Sequence, residues 1–284
     1  MWFNGFIAVI DMALEHLDAP LLRDHRDALI LGAFREDVCY LPGAQFVFQS
    51  PSLTHFRRSN LPGGFIPYLT DGAGARAEKF MHKALREFAR GHEAAAFVQL
   101  GRAAHPLIDM SCPVHAQGVA HTTDPFEWCV EAMVDELRAL PVSAVSAGAS
   151  AADIVEDMAR FAQDFKADMT NSPWGRMLRH WHRRTPVRAA LAREQARVLI
   201  PRAAASTANL FELFLQRAGA NALAPAAEGL AQTTLGLEMP RGGVRTWFAQ
   251  LDAFCMNHGG ARHYGALLNL LARCREQLDT QVTQ

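Results

Sequence analysis

Charge of one sign is what this chain has least of. Its 28 lysines and arginines face 29 aspartates and glutamates, for a net charge of -1. Without a basic excess there is no field to track a phosphate backbone, which excludes a protein gripping long nucleic acid but not one handling a small phosphoester. Cysteine is also scarce. Cys39, Cys112, Cys129, Cys255 and Cys274 form an odd set with no Cys-x-x-Cys spacing. That argues against a disulfide framework and for buried free thiols, with Cys112 and Cys129 held in reserve as soft metal ligands. No stretch approaches the roughly 18 apolar residues of a membrane span, so no transmembrane segment is expected. The opening residues, MWFNGFIAVIDMALEHL, have no basic leader, and Asp11 interrupts their apolar run. They read as an amphipathic helix rather than a secretion signal, and the expectation is a cytoplasmic protein. There is no internal repeat and no low-complexity tract.

What is present is hydrophobic and helical in pattern. Half of the 284 residues are apolar, ample for one large core. Ile7, Ile10, Ala13, Leu14 and Leu17 form one stripe and predict a helix over residues 5–17. A second helix should run from Pro20 toward Phe34, another over 75–90 ended by Gly91, and another from Glu93 through a kink at Pro106. A helix continuing to about residue 140, a connector over 141–150 and a helix over 151–169 follow. Asn171-Ser-Pro173 caps a helix carrying Arg176, Arg179, Arg183 and Arg184, a basic cluster read as a solvated face or as a rim attracting an anionic group. A long helical pattern over 186–216 is interrupted by Pro201, with small residues on one side for close helix contact. Beyond it lie a Gly-, Ala- and Pro-rich connection and two short helices. His258 and His263, between those helices, are read as packing or turn residues.

The stretch over residues 100–131 reads LGRAAHPLIDMSCPVHAQGVAHTTDPFEWCVE. His105 and Asp109 are four apart, one helical turn, as are Glu127 and Glu131. Between the two pairs stand Pro113 and His115. Two one-turn pairs flanking a Pro-x-His hinge suit a metal cluster held between helices.

The pattern His-x3-Asp-x3-Pro-x-His, complete as His105, Asp109, Pro113 and His115, resembles the zinc-dependent phospholipase C family and its relatives, the single-strand-specific zinc nucleases. The resemblance implies an all-α fold, a single multi-helix domain over residues 1–217. Residues 218–284 have no counterpart in that resemblance and are expected to form a helical extension packed on the same domain. It also implies an early aspartate, matched by Asp37 with Glu36 competing, and a loop histidine before Phe, matched by Thr54-His55-Phe56. Taken alone, His55 is an ordinary loop histidine beside Arg57 and Arg58; with the later cluster it becomes a ligand. One metal is then held by Asp37, His55, His105 and Asp109, and another by His115 with Glu127 and Glu131, His121 being a reserve. Two zinc ions sharing a hydroxide would hydrolyse a small-molecule or lipid-like phosphoester, with Asp37 as general base.

Two departures from the family stand out. Its third metal uses the amino group of an N-terminal Trp, and here Met1 precedes Trp2, so that site is expected to be missing or remodelled. Where the family has His before Glu, this chain has Glu127, a harder donor that favours manganese or iron. The alternatives are therefore a di-metal oxidative or lyase enzyme on the same scaffold, or a homologue that has lost catalysis.

Overall fold

The computed structural model describes residues 3–35, 38–39, 48–49, 72–118, 124–168, 187–219, 269 and 272. Among these, ten helices follow one another: α1 (Phe3–His16), α2 (Pro20–Asp24), α3 (Arg26–Arg35), α4 (Ala73–Ala89), α5 (Glu93–Asp109), α6 (Pro113–Ala116), α7 (Pro125–Ala132), α8 (Val134–Arg138), α9 (Ala151–Gln163) and α10 (Ala189–Arg217). A two-residue antiparallel pairing, β1 (Val38–Cys39) with β2 (Phe48–Gln49), accompanies them. The fold is all-α, as expected.

Local chemistry sets some of the helix ends. Ser150 caps α9, its hydroxyl accepting from the Asp153 amide at 3.1 Å. The apolar positions Ile154, Val155, Met158, Ala159 and Ala162 then all turn inward. Gly91 follows α4 at φ +78, the left-handed conformation that ends a helix without a Cβ clash.

Three expectations shift. The helix predicted from Pro20 to Phe34 breaks at His25, whose ring stacks on Phe97 with centroids 4.3 Å apart. The helix predicted over 151–169 stops at Gln163, because the Gln117 side chain donates to the carbonyls of Gln163 and Phe165 at 3.3 and 2.7 Å. α10 runs through Pro201 without a break; Leu199, Ile200, Ala203 and Ala204 around it are fully buried, and that packing outweighs one lost donor. The basic helix from Trp174, the tail beyond Gly219 apart from Asn269 and Ala272, and the histidines His258 and His263 lie outside the described residues.

α10 is the central rod, in contact with α1, α5, α7 and α9. Among the described residues it is the one helix long and apolar enough to cross a membrane, where the sequence pattern led us to expect none. However, 67% of its apolar window is buried inside the fold, as in the core helix of a globular domain.

α5 lies between α3 and α4, and its contact with α3 is unusually close. A Cβ on Gly101 would stand 2.0 Å from the Leu29 carbonyl oxygen, and one on Gly32 would stand 2.0 Å from that of Val98. The two backbones touch because both positions are glycine. This contact places the following turn of α5, which carries His105, against the end of α3.

Candidate metal centre

His105 is 2% exposed and Asp109 0% exposed. His105 Nδ1 donates to the Ala33 carbonyl at 2.7 Å, an acceptor brought within reach by the glycine contact. That bond fixes the proton on Nδ1 and leaves Nε2 facing the Asp109 carboxylate at 3.1 Å. Phe6 stacks on the ring, with centroids 4.7 Å apart and planes 14° from parallel, and closes the apolar side. A lone-pair nitrogen and a carboxylate oxygen at this separation require a positive charge, either a proton on the imidazole or a cation between them. Burial raises the Asp109 pKa, but the positive amino terminus, His105 and His115 outweigh it and hold the carboxyl well below its usual range. Asp109 is therefore an ionised, fully buried carboxylate, a costly group to place in a core unless it has a cation to meet.

The second half of the stretch is built differently. After α5 the chain turns through Met110, Ser111 and Cys112 into the single turn of α6, with Pro113 at its first position and His115 pointing into the core. The turn is anchored to the end of α9 from both sides. Gln163 Nε2 donates to the Ala116 carbonyl at 3.0 Å, and Gln117 answers with its bonds to the carbonyls of Gln163, the last residue of α9, and Phe165 just beyond it. Asp124 then caps α7, its Oδ1 accepting from the Phe126 amide at 3.1 Å. Its other oxygen accepts from the Cys112 thiol at 3.2 Å, which ties α7 to the residue that opens α6. On the first turn of α7, Glu127 Oε1 reaches His115 Nε2 at 3.4 Å.

Cys112, His115 and Glu127 thus form a group of three buried donors whose ligand atoms all lie within 4.8 Å of one another. Burial, then Asp124 and Glu127, push the Cys112 thiol well above its usual range.

Of the candidate ligands, the fold brings His105 to Asp109 and His115 to Glu127. Glu131 stands apart from the group of three. Its Oε1 accepts from Asn4 Nδ2, and its Oε2 is buried without a hydrogen-bond partner among the described residues. Burial raises the Glu131 pKa, and the bonds from Asn4 only partly offset it. Glu131 and Asn4 line a cleft of about 550 Å³ that also meets Arg26 and Arg138. Asp37, His55 and His121 lie outside the described residues, as does Glu36.

Cys112 and Asp124 join the candidate group in the fold, although the sequence gives them little weight. The signal for Cys112 was its spacing: Cys112-Pro-Val-His115 puts sulfur and imidazole three residues apart at the start of a helical turn. The Ala33 carbonyl carries no sequence signal, being backbone.

No family model matches this chain, and no curated protein matches it. Among solved structures it is similar to the alpha-toxin of Clostridium perfringens, at 16% identity and a TM-score of 0.54, covering 77% of this chain and 64% of the toxin. It is also similar to the alpha toxin of Clostridium absonum, at 18% identity and a TM-score of 0.54, covering 77% of this chain and 65% of the toxin. The chain spans somewhat less than two-thirds of either toxin's length. The all-helical fold implied by the His-x3-Asp-x3-Pro-x-His pattern is therefore the one observed, and it is a fold this chain shares with the two clostridial toxins.

Proposed function

We propose that this protein is a metal-dependent hydrolase of phosphoesters, of phospholipase C type. The observation that carries the reading is the buried donor set. His105 faces Asp109, and Cys112, His115 and Glu127 converge from the two helices that follow, all buried in this fold. The chemistry of the set fits divalent metal: two buried imidazoles, one of them oriented by a backbone carbonyl, beside buried carboxylates of which Asp109 is held ionised.

His105 and Asp109 would hold one ion and His115 with Glu127 another. Asp37 and His55, implied by the family resemblance, complete the set, with Asp37 as general base and Glu131 as a further ligand. Bound cations supply Lewis-acid stabilisation of the charge that develops on the phosphoryl oxygens. The chain's own contribution is to hold those donors rigidly and keep bulk water out. The Ala33 carbonyl orients His105, Phe6 shields it, and Asp124 fixes the start of the helix that presents Glu127. The substrate class that suits this reading is a lipid-like or small phosphoester.

The test is metal analysis of the purified full chain, followed by turnover of p-nitrophenyl phosphate and p-nitrophenylphosphorylcholine. Zinc at one or two equivalents, with activity lost to a chelator and regained with zinc, is the expected result. Full zinc loading with neither ester turned over sinks the hydrolase reading. Iron with visible absorbance in the protein as isolated would transfer the same donor set to the oxidative alternative.

A further inference from the structure

The reading above leaves one buried nucleophile unused. Cys112 opens α6, is 0% exposed, and stands with His115 and Glu127 in the three-donor group. Three features set it apart from an ordinary core thiol. Its side chain is aimed at polar atoms, with Asp124 Oδ2 3.2 Å away. It shares a helical turn with a histidine at the i,i+3 spacing that lets both side chains reach one point. The third donor, Glu127, comes from a separate helix whose start is tied back to Cys112 through Asp124. Cys129, also buried and free, lacks the last two: its sulfur donates to the Ala189 carbonyl at 3.7 Å, and it belongs to no such three-donor group among the described residues.

We propose that Cys112 is a metal ligand, supplying a thiolate to the ion held by His115 and Glu127. The inference rests on the metal-dependent reading given above. On binding, the Cys112 S–H bond breaks and a sulfur–metal bond forms. The proton leaves through Asp124, the acceptor it already faces, to solvent. The ligand set then combines sulfur, nitrogen and oxygen from this chain. Glu127 alone would draw the site toward manganese or iron; a thiolate draws it back toward zinc. The oxygen donor on α7 and the sulfur donor before α6 offset one another.

X-ray absorption at the zinc edge of the zinc-loaded full chain decides the matter without reference to activity. The expected spectrum has one sulfur scatterer per protein at about 2.3 Å, beside nitrogen and oxygen at about 2.0–2.2 Å. C112S should lose the sulfur shell and C129S should keep it. If C112S does not fold, a chain with the other four cysteines changed to serine must still show the shell. The zinc affinity of C112S should fall about 100-fold or more, beyond the roughly 10–100-fold typical of losing a group that only orients a ligand. A zinc-loaded chain with only nitrogen and oxygen scatterers, or a sulfur shell that survives C112S, overturns the proposal while leaving the hydrolase reading standing. A chain that takes up no metal overturns both.

Discussion

The two one-turn pairs of this chain look alike in sequence and behave in opposite ways in the fold. His105 and Asp109 face each other on α5, and Asp109 is held ionised in full burial. Glu127 and Glu131 share α7 at the same spacing but point to different partners, Glu127 to His115 and Glu131 to Asn4. Glu131 is pushed the other way, toward its neutral form. The spacing is common to both pairs, so it does not decide the charge. What decides it is the neighbourhood each pair is packed into. α5 is pressed backbone-to-backbone on α3 and receives positive groups around Asp109. The end of α7 meets an asparagine amide, too weak a partner to offset burial.

Breaking the first pair should have the largest effect. Asp109→Ala removes the carboxylate and strands His105 in the core. The metal-free chain should lose about 3–5 kcal/mol, read by denaturant unfolding, and bound metal should fall with it. The pH dependence has a definite sign. The folded pKa of Asp109 lies below its unfolded value of about 3.9, so its contribution is fully present above that pH and is lost as pH falls through the folded value. The acid limb of the wild-type stability curve should flatten in Asp109→Asn. Next in size is the contact that positions the pair. Gly101→Ala puts a methyl 2.0 Å from the Leu29 carbonyl and must push α3 and α5 apart. About 3 kcal/mol or more should be lost, and the His105 bond to Ala33 should lengthen or break. If Gly101→Ala melts like the wild type, the close helix contact is not what holds this half of the site.

The α6–α7 half is held by side chains and should yield more gently. Asp124→Ala removes a cap and leaves the Cys112 thiol without its acceptor. A loss of about 1–2 kcal/mol is expected by thermal or denaturant unfolding, with zinc affinity falling more than stability does. Equal and small changes in both would mean that the cap orients nothing.

How much of this was legible beforehand follows from the same contrast. The shared face of His105 and Asp109 could be read from spacing, because helix periodicity fixes which side chains lie together. The all-α fold and the approach of His115 to Glu127, which sit on separate helices, were implied by the family resemblance instead. Backbone partners left no trace in the sequence. The Ala33 carbonyl that orients His105 is reached only because Gly32 and Gly101 let two helices touch, and a glycine inside a helical pattern reads simply as a weak point. Glu131 was grouped with Glu127 on spacing and on the family resemblance. Its actual partner, Asn4, is 127 residues away, a tertiary pairing that no local pattern encodes. Cys112 reads in sequence first as a buried free thiol and only in reserve as a soft ligand; its nearness to His115 and Glu127 is a product of the fold.

The smallest expected effect is also the one that separates the two pairs most cleanly. The folded pKa of Glu131 lies above its unfolded value of about 4.3. In that case the carboxyl favours folding in its protonated form, below about pH 4.3, and the advantage disappears as pH rises through the folded value. At neutral pH the buried charge is a burden, so Glu131→Gln should unfold at a slightly higher temperature than the wild type in the metal-free chain. The gain should vanish near pH 4, where the native carboxyl is already neutral. The glutamine can keep the bond from Asn4 through its carbonyl and brings an amide to the buried edge now left without a partner. Metal content of the same variant reads out the other possibility. If Glu131 ligates, as the resemblance to the phospholipase family implies, bound zinc falls even as the metal-free chain gains stability. If zinc is unchanged, Glu127 alone represents α7 at the centre and the second pair is a pair in sequence only.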